Sequence, residues 1–111
     1  MNTQKIQTGI IHFMDIRLVT AKSNNGTVYV AMKPFIEGMG LSWGNQSEKL
    51  KDSRYSVKRI PYETQGGMQE MLSLDTNHLP AYLYSINPNK VRKDLRERII
   101  SFQAETFKAI N

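Results

Sequence analysis

Residues 28–41 constrain the fold most, because a strand pattern changes there directly into a helix pattern. The segment begins as a strand, with Val28 and Val30 on one face and Tyr29 and Ala31 on the other, because successive side chains of a strand face opposite sides of a sheet. Pro34 suits the first turn of a helix, where its missing N–H would have no partner. Gly40 suits a left-handed cap at that helix's end. The apolar face of the predicted helix consists of Phe35, Ile36 and Met39.

A second helix is predicted after the glycine, from about Trp43 to Asp52. Ser42 precedes it and is a suitable N-cap, because its hydroxyl can accept a hydrogen bond from the first turn. Trp43 is predicted to anchor the core between the two helices. We therefore expect the order strand, helix, tight glycine corner, helix.

The rest of the sheet is predicted as hairpins. Residues 9–13 are typical of a short strand, and residues 16–22 of a better one. Asn25-Gly26 lies at the centre of the next turn, because both residue types tolerate positive φ, and residues 27–31 return from it. Strands over 57–61 and 68–74 flank a further turn at Gln65-Gly66-Gly67. Four methionines are predicted as core fillers: Met32, Met39, Met68 and Met71.

Helical signals dominate the last third of the chain. One residue of 75–77 is expected to cap a short helix in which Pro80 occupies the first turn. Its core-facing stripe is Leu79, Tyr82, Leu83 and Ile86. Asn87-Pro88-Asn89 ends it, and residues 90–111 form the longest helical pattern. The predicted fold class is α+β: a small antiparallel sheet built from hairpins, short helices gathered on one side, and a long C-terminal helix.

The long helix has more apolar surface than one core requires. At about 100° per residue its main stripe covers roughly one quadrant, with the members Val91, Leu95, Ile99, Phe102 and Ile110. Ile100 and Phe107 lie near the opposite edge. A helix of this kind is usually packed on two sides, so we expect a second polypeptide there: another subunit, giving a homo-oligomer, or a different protein.

Two arginines lie between the apolar groups without a helical charge partner. Pairs at i, i+4 are predicted for Lys90–Asp94, Lys93–Glu97 and Asp94–Arg98. Arg92 and Arg96 have no such pair, so they are candidates for contacting an anionic group of a partner, or else are simply solvated. The candidate partner-binding residues are Arg92, Arg96, Ile100, Gln103 and Phe107.

The length of 111 residues predicts a single domain over residues 1–111, and an ordinary apolar fraction predicts that it is globular. The chain has no cysteine, which excludes disulfides and cysteine zinc sites. Its amino-terminal residues include no long apolar run, so we expect neither a signal peptide nor a membrane span, and a cytoplasmic location. The net charge of +5 is consistent with an anionic partner or with a merely basic surface.

No catalytic arrangement stands out in the sequence. His12 and His78 are not at metal-ligand spacing. The glycines at 38, 40 and 44 are spaced for helix ends and not for a phosphate loop. The carboxylates occur singly among basic residues, so no acid–base pair is set up. We therefore expect no enzymatic activity, no metal and no cofactor.

Two long motifs resemble one protein family. The first runs from Tyr29 to Trp43 (YVAMKPFIEGMGLSW) and continues with Gln46, Lys49 and Leu50. The second comprises EMLSL at 70–74, LYSINP at 83–88 and KVRKDLR at 90–96. In order and spacing, both are similar to the amino-terminal domain of phage antirepressors, and more distantly to Bro-N domains. The resemblance implies a module that binds a phage repressor, blocks its operator binding in the bacterial host, and favours lytic induction.

A DNA-binding role is the alternative, since Bro-N relatives are described as DNA-binding. The helix–glycine–helix corner faintly resembles a helix-turn-helix, and a basic run follows it. The candidate nucleic-acid-binding residues are Lys49, Lys51, Arg54, Lys58 and Arg59. Glu48 and Asp52 interrupt this run. The expected partners are therefore a phage repressor and further copies of the chain, with nucleic acid as the alternative.

Overall fold

A five-stranded antiparallel sheet forms the frame of the protein in a computed structural model, which describes residues 7–110 and the side chains of residues 7–106. The strands are β1 (Gln7–Phe13), β2 (Ile16–Lys22), β3 (Val28–Ala31), β4 (Val57–Thr64) and β5 (Gly67–Asp75). Their order across the sheet is β1-β2-β3-β5-β4, and each neighbouring pair is antiparallel. The predicted hairpin sheet is therefore confirmed.

Helices lie between and after these strands. They are α1 (Met32–Gly38), α2 (Trp43–Lys49), α3 (Leu79–Tyr84) and α4 (Arg96–Ile110). Single turns of 3-10 helix occupy Thr76–His78, Pro88–Lys90 and Lys93–Leu95. Together with the sheet, they confirm the predicted α+β class.

The corner between α1 and α2 is built as predicted. Gly40 has a φ of +81°, and the hydroxyl of Ser42 accepts a hydrogen bond from the backbone N–H of Asn45 at 3.4 Å. The predicted end at Asp52 is wrong, because α2 ends at Lys49. The backbone N–H groups of Lys51 and Asp52 donate to carbonyls three residues earlier in the chain. The Asp52 carboxylate also accepts a hydrogen bond from the N–H of Arg54 at 2.9 Å. These local bonds take the place of another helical turn.

The first hairpin turn was not anticipated. It consists of Met14 and Asp15, whose φ values are 53° and 61°. Positive φ at both central residues is the arrangement of a type I′ turn, which matches the strand twist. Asn25-Gly26 lies in the next turn as predicted, within the longer loop that closes with the N–H of Ser23 on the carbonyl of Thr27.

The long helix begins later than predicted. The pattern indicated a helix from Lys90, but α4 starts at Arg96, after an extended residue at Val91. The N–H of Arg92 donates to the carbonyl of Met39 at 2.7 Å, which holds this segment against the α1–α2 corner. Because residues 90–95 are not α-helical, the three predicted i, i+4 ion pairs do not form. Arg92 instead pairs with Asp94 at 2.9 Å, and Arg98 pairs with Asp15 at 2.9 Å.

The main core lies between one face of the sheet and the helices. The predicted stripe of α1 is buried there, as is that of α3 apart from Leu79, which is half-buried against it. Val91, Leu95 and Ile99, ahead of and within α4, are also buried in this core. Phe102 is half-buried against the same core, and the side chains of Phe107 and Ile110 lie outside the described ones. The Phe13 ring bridges the elements: its centroid is 6.4 Å from that of Phe35 and 6.3 Å from that of Phe102.

The opposite face of the sheet carries a smaller cluster made of strand residues alone. Its buried members are Ala21, Ala31, Ile60 and Tyr62. The hydroxyl of Tyr62 shares a hydrogen bond of 2.8 Å with that of Ser73, which satisfies both groups. A groove of about 690 Å³ runs over this face, between the β1–β2 arm and the far end of the β4–β5 hairpin. We call this side the open face.

Two of the four predicted methionine fillers do not lie in the core. Met32 and Met39 are fully buried, as predicted. Met71 is half-buried beside the open-face cluster, and Met68 is 66% exposed near the turn between β4 and β5. The prediction for Met68 is wrong because the hairpin extends beyond the helices that cover the sheet. No helix among the described residues is long and apolar enough to cross a membrane.

Candidate partner-binding surface

An exposed apolar pair lies where the end of α3 meets α4. Ile100 is 52% exposed on α4, and Tyr84 is 44% exposed at the last residue of α3. Ile100 was predicted from the helical pattern to lie away from the core, and its exposure agrees with that. Tyr84 was missed, although it falls between the buried Leu83 and Ile86 and outside the apolar stripe of its helix.

Gln103 fixes the two helices against each other. Its side-chain amide donates to the backbone carbonyls of Leu83 at 3.0 Å, Tyr84 at 3.2 Å and Ile86 at 2.8 Å. These carbonyls belong to the last turn of α3 and the residues after it, where helical partners are lacking. The amide of Gln103 is thus used inside the chain, one helical turn from Ile100.

Replacing Gln103 with leucine should lower the free energy of unfolding by about 1–3 kcal/mol, because partly buried carbonyls would lose their donor while the side-chain volume is kept. Chemical denaturation measures this change. Gln65→Leu, at an exposed turn position, is the matched control and should change stability by less than about 0.5 kcal/mol. Equal effects of the two substitutions would contradict the bridging role.

The two candidate arginines border this region and are locally engaged. The guanidinium of Arg92 donates to both carboxylate oxygens of Asp94, at 2.9 and 3.3 Å. That of Arg96 donates to the carbonyl of Asn89 at 3.2 Å, while its Nε is buried without a hydrogen-bond partner among the described residues. Arg92 stays exposed, so its charge remains accessible from solvent.

The basic run does not form one face. Lys51 pairs with Glu48 at 2.7 Å, and Arg54 pairs with Asp52 at 2.7 Å. The hydrogen bonds from Arg54 lower the pKa of Asp52 to about 2, so this carboxylate stays charged beside the arginine.

The other three cations of this run point to different environments. The Lys49 Nζ donates to the carbonyl and hydroxyl oxygens of Ser85, both at 3.2 Å, and burial lowers its pKa. Lys58 and Arg59 are consecutive in β4, so their side chains leave opposite faces of the sheet. Lys58 lies 4.8 Å from the centroid of the Tyr29 ring. The five residues therefore offer no continuous track for a phosphate backbone.

Trp43 has a second position besides the predicted core contact. It packs against the main core and is half-buried, and it also lines a cleft of about 420 Å³ between α2 and the β4–β5 hairpin. Lys33 and Arg59 face this cleft together with Glu70. Because both positive and negative side chains line the cleft, it favours neither an anionic nor a cationic ligand.

The histidines lie in different elements of the fold. His12 is exposed on the edge strand β1, and His78 lies in the 3-10 turn before α3. Within the described part of the chain, no three His, Cys, Asp or Glu side chains are grouped as metal ligands would be.

The comparisons with known proteins identify one family. The family model described as the P22_AR N-terminal domain matches residues 10–111. No curated protein and no solved structure gives a match. The matched region includes every strand and helix described above, apart from the first three residues of β1. The chain therefore belongs to the P22_AR N-terminal domain family, the amino-terminal domain of phage antirepressors.

Proposed function

We propose that this domain is a non-catalytic antirepressor module that binds a phage repressor and keeps it from its operator, in the cytoplasm of the bacterial host. Membership of the antirepressor family over residues 10–111 is the observation that carries the proposal. An antirepressor needs a protein-binding surface and no active site. Release of the operator would then lead to expression of the lytic genes.

The proposed contact is the α3–α4 surface, defined as Tyr84, Arg92, Arg96 and Ile100. The surface combines two exposed large apolar side chains with two arginines, a composition typical of protein interfaces, where aromatic residues and arginine supply much of the binding energy. Gln103 stabilises this surface from below, because it holds the end of α3 to α4 through three carbonyls. A rigid surface loses little conformational entropy on binding.

The carboxylate of Asp94 shapes the charge of this surface. It pairs with Arg92 in the free domain, at 2.9 Å, with the side chains 45% (Arg92) and 68% (Asp94) exposed. An exposed pair of this kind contributes little to stability. A carboxylate of the repressor can therefore replace Asp94 at small cost, which makes an acidic segment of the repressor the expected partner of Arg92.

Replacing Ile100 with lysine should weaken repressor capture by about 10- to 100-fold, because a charge would have to be desolvated in the centre of the contact. The measurement is co-purification of the domain with the repressor encoded beside it, followed by titration of the complex. Ile100 is half-exposed, so the variant should fold normally, and a thermal melt checks this.

Ile10→Lys is the matched control, since Ile10 is 51% exposed and lies on β1, outside the α3–α4 surface. It should leave capture unchanged. Full capture by Ile100→Lys would remove this surface from the proposal. Failure of the unmodified domain to bind the repressor, together with salt-sensitive binding to operator duplex alone, would favour the DNA-binding alternative instead.

A further inference from the structure

Strand β1 has one hydrogen-bonded neighbour, β2, and no other strand within residues 7–110 pairs with its outer edge. It pairs with β2 through all seven positions, from Gln7↔Lys22 to Phe13↔Ile16. Its residues from Gln7 to His12 are exposed. Ile10 and Ile11 are 51% and 50% exposed, and they leave opposite faces of the sheet. An open edge with exposed apolar side chains is a template for another strand.

The hydrogen-bond pattern shows which backbone groups point outward. In the two-residue turn, the carbonyl of Phe13 faces the N–H of Ile16, so this pair is a hydrogen-bonded one. Bonded and non-bonded pairs alternate along antiparallel strands. Thr8, Ile10 and His12 therefore direct their N–H and C=O groups away from β2. The hydrogen bond from the N–H of Ser23 to the carbonyl of Thr27 is independent support. It makes Ser23 and every second residue before it in β2 face β3, so the residues between them face β1.

The other edge of the sheet is protected. The N–H of Asp75 donates to the carbonyl of Ser56, so the outward-facing backbone groups of β4 belong to alternate residues that include Arg59, Pro61 and Glu63. Proline removes a donor, and the flanking charges oppose pairing with a second strand. Residues 7–13 contain neither proline nor a charged residue. The two edges thus differ in the features that decide whether a strand can be added.

We propose that β1 pairs with β1 of a second copy of this chain about a two-fold axis at Ile10, joining two five-stranded sheets into one of ten strands. Several registers could pair the outward-facing N–H and C=O groups of the two chains, but this one uses those of all three residues. Ile10 lies opposite Ile10 of the second copy, and Thr8 of each chain lies opposite His12 of the other. The interface is isologous, since each contact occurs twice. It is separate from the α3–α4 surface and does not rest on the proposed function.

Side-chain complementarity favours a second copy as the occupant. The two Ile10 side chains lie together on the open face, where each also lines the groove. On the helix side, Ile11 of each chain stands opposite Gly9 of the other, so a large side chain meets a position that has none. No pair in this register brings like charges together, because residues 7–13 carry no formal charge.

Sedimentation analysis across a range of concentrations tests the self-association. The unmodified chain should show a mass twice its own. Ile10→Lys should raise the dissociation constant at least about tenfold, because it sets two like charges opposite each other. Ile100→Lys, the same change at an equally exposed isoleucine of α4, should not. A monomer at all concentrations, an open-ended series of assemblies, or a dimer that survives Ile10→Lys would overturn the proposal.

Cross-linking tests the register and keeps the proposal falsifiable if Ile10→Lys disturbs folding. The chain has no cysteine, so Ile10→Cys carries a single thiol. Hydrogen-bonded antiparallel partners have Cα atoms about 5.5 Å apart, within the range of a disulfide. Mild oxidation should therefore give a covalent dimer. Ile11→Cys is the control. In this register residue 11 lies opposite Gly9 of the second copy, so the two Cα atoms of residue 11 are about 8 Å apart, too far for a disulfide. Equal cross-linking of the two variants, or none in Ile10→Cys, would exclude this register.

Discussion

Replacing Phe35 with alanine should lower the free energy of unfolding by about 3–5 kcal/mol. The Phe35 side chain is fully buried in α1, between the sheet and the helices. Its ring meets the edge of Phe13 at a centroid distance of 6.4 Å, and Phe13 meets Phe102 of α4 in the same way. The substitution would remove one ring of this three-ring contact and leave a cavity that rigid neighbours cannot fill.

Urea denaturation measures the effect as a shift of the midpoint with an unchanged slope. Phe102→Ala is the matched control, because Phe102 is of the same type but only half-buried. It should cost about half as much, in proportion to the area that it removes from water. Equal losses for the two variants, or a loss below about 1 kcal/mol for Phe35→Ala, would contradict the contribution of the fully buried Phe35 side chain to the core.

Gly40→Val should lower the free energy of unfolding by about 3 kcal/mol or more. The φ of +81° alone costs an L-residue about 1–2 kcal/mol. A Cβ at this position would also lie 3.2 Å from the backbone nitrogen of Arg92. That nitrogen cannot easily move away, because its N–H donates to the carbonyl of Met39 at 2.7 Å. The added side chain would strain the bond that holds residues 90–95 to the α1–α2 corner.

Gly26→Val separates the conformational cost of positive φ from the cost of the steric contact with Arg92. Gly26 has a φ of +88°, but a Cβ there would have no atom within 4 Å. This control should therefore lose only the conformational cost of about 1–2 kcal/mol. Thermal melts of both variants provide the comparison, since 1 kcal/mol corresponds to about 4–8 °C for a domain of this size. Equal melting temperatures would show that the contact with Arg92 does not constrain the corner.

The strand–helix–corner–helix unit was predicted correctly because each of its signals acts within a few residues. Strand alternation, a proline in the first turn, a glycine with positive φ and the Ser42 cap depend on backbone sterics and nearby hydrogen bonds. The antiparallel hairpins followed from the same kind of signal. The type I′ turn at Met14-Asp15 was missed because it contains no glycine and Met14 is not a residue type that favours positive φ, although Asp15 is.

The start of α4 could not be predicted from helical periodicity. Residues 90–95 match a helix in pattern, yet the N–H of Arg92 is taken by the carbonyl of Met39 in a distant part of the chain. The same contact explains why Asp94 pairs with Arg92 and not with Lys90 or Arg98, the partners that a continuous helix would have given it. The bridging bonds of Gln103 likewise depend on where α3 ends against α4.

The exposure of the isoleucines could likewise be predicted in part from local pattern and in part only from the tertiary structure. Ile100 was expected outside the core because its angular position on a helix follows from its residue number. Ile10 and Ile11 were placed in a strand, but the pattern did not show that this strand would form the edge of the sheet. A signal was present, since adjacent isoleucines in an uncharged strand must face opposite sides.

The sequence by itself determined the secondary-structure units, the helix stripes and the family, because these depend on local sterics and on the spacing of apolar residues. Tertiary structure decided the strand order, which edge stays open, where α4 begins and which polar groups are used internally. Those features depend on contacts between residues far apart in the chain, and one long-range hydrogen bond can override a local preference when its N–H would otherwise be buried without a partner.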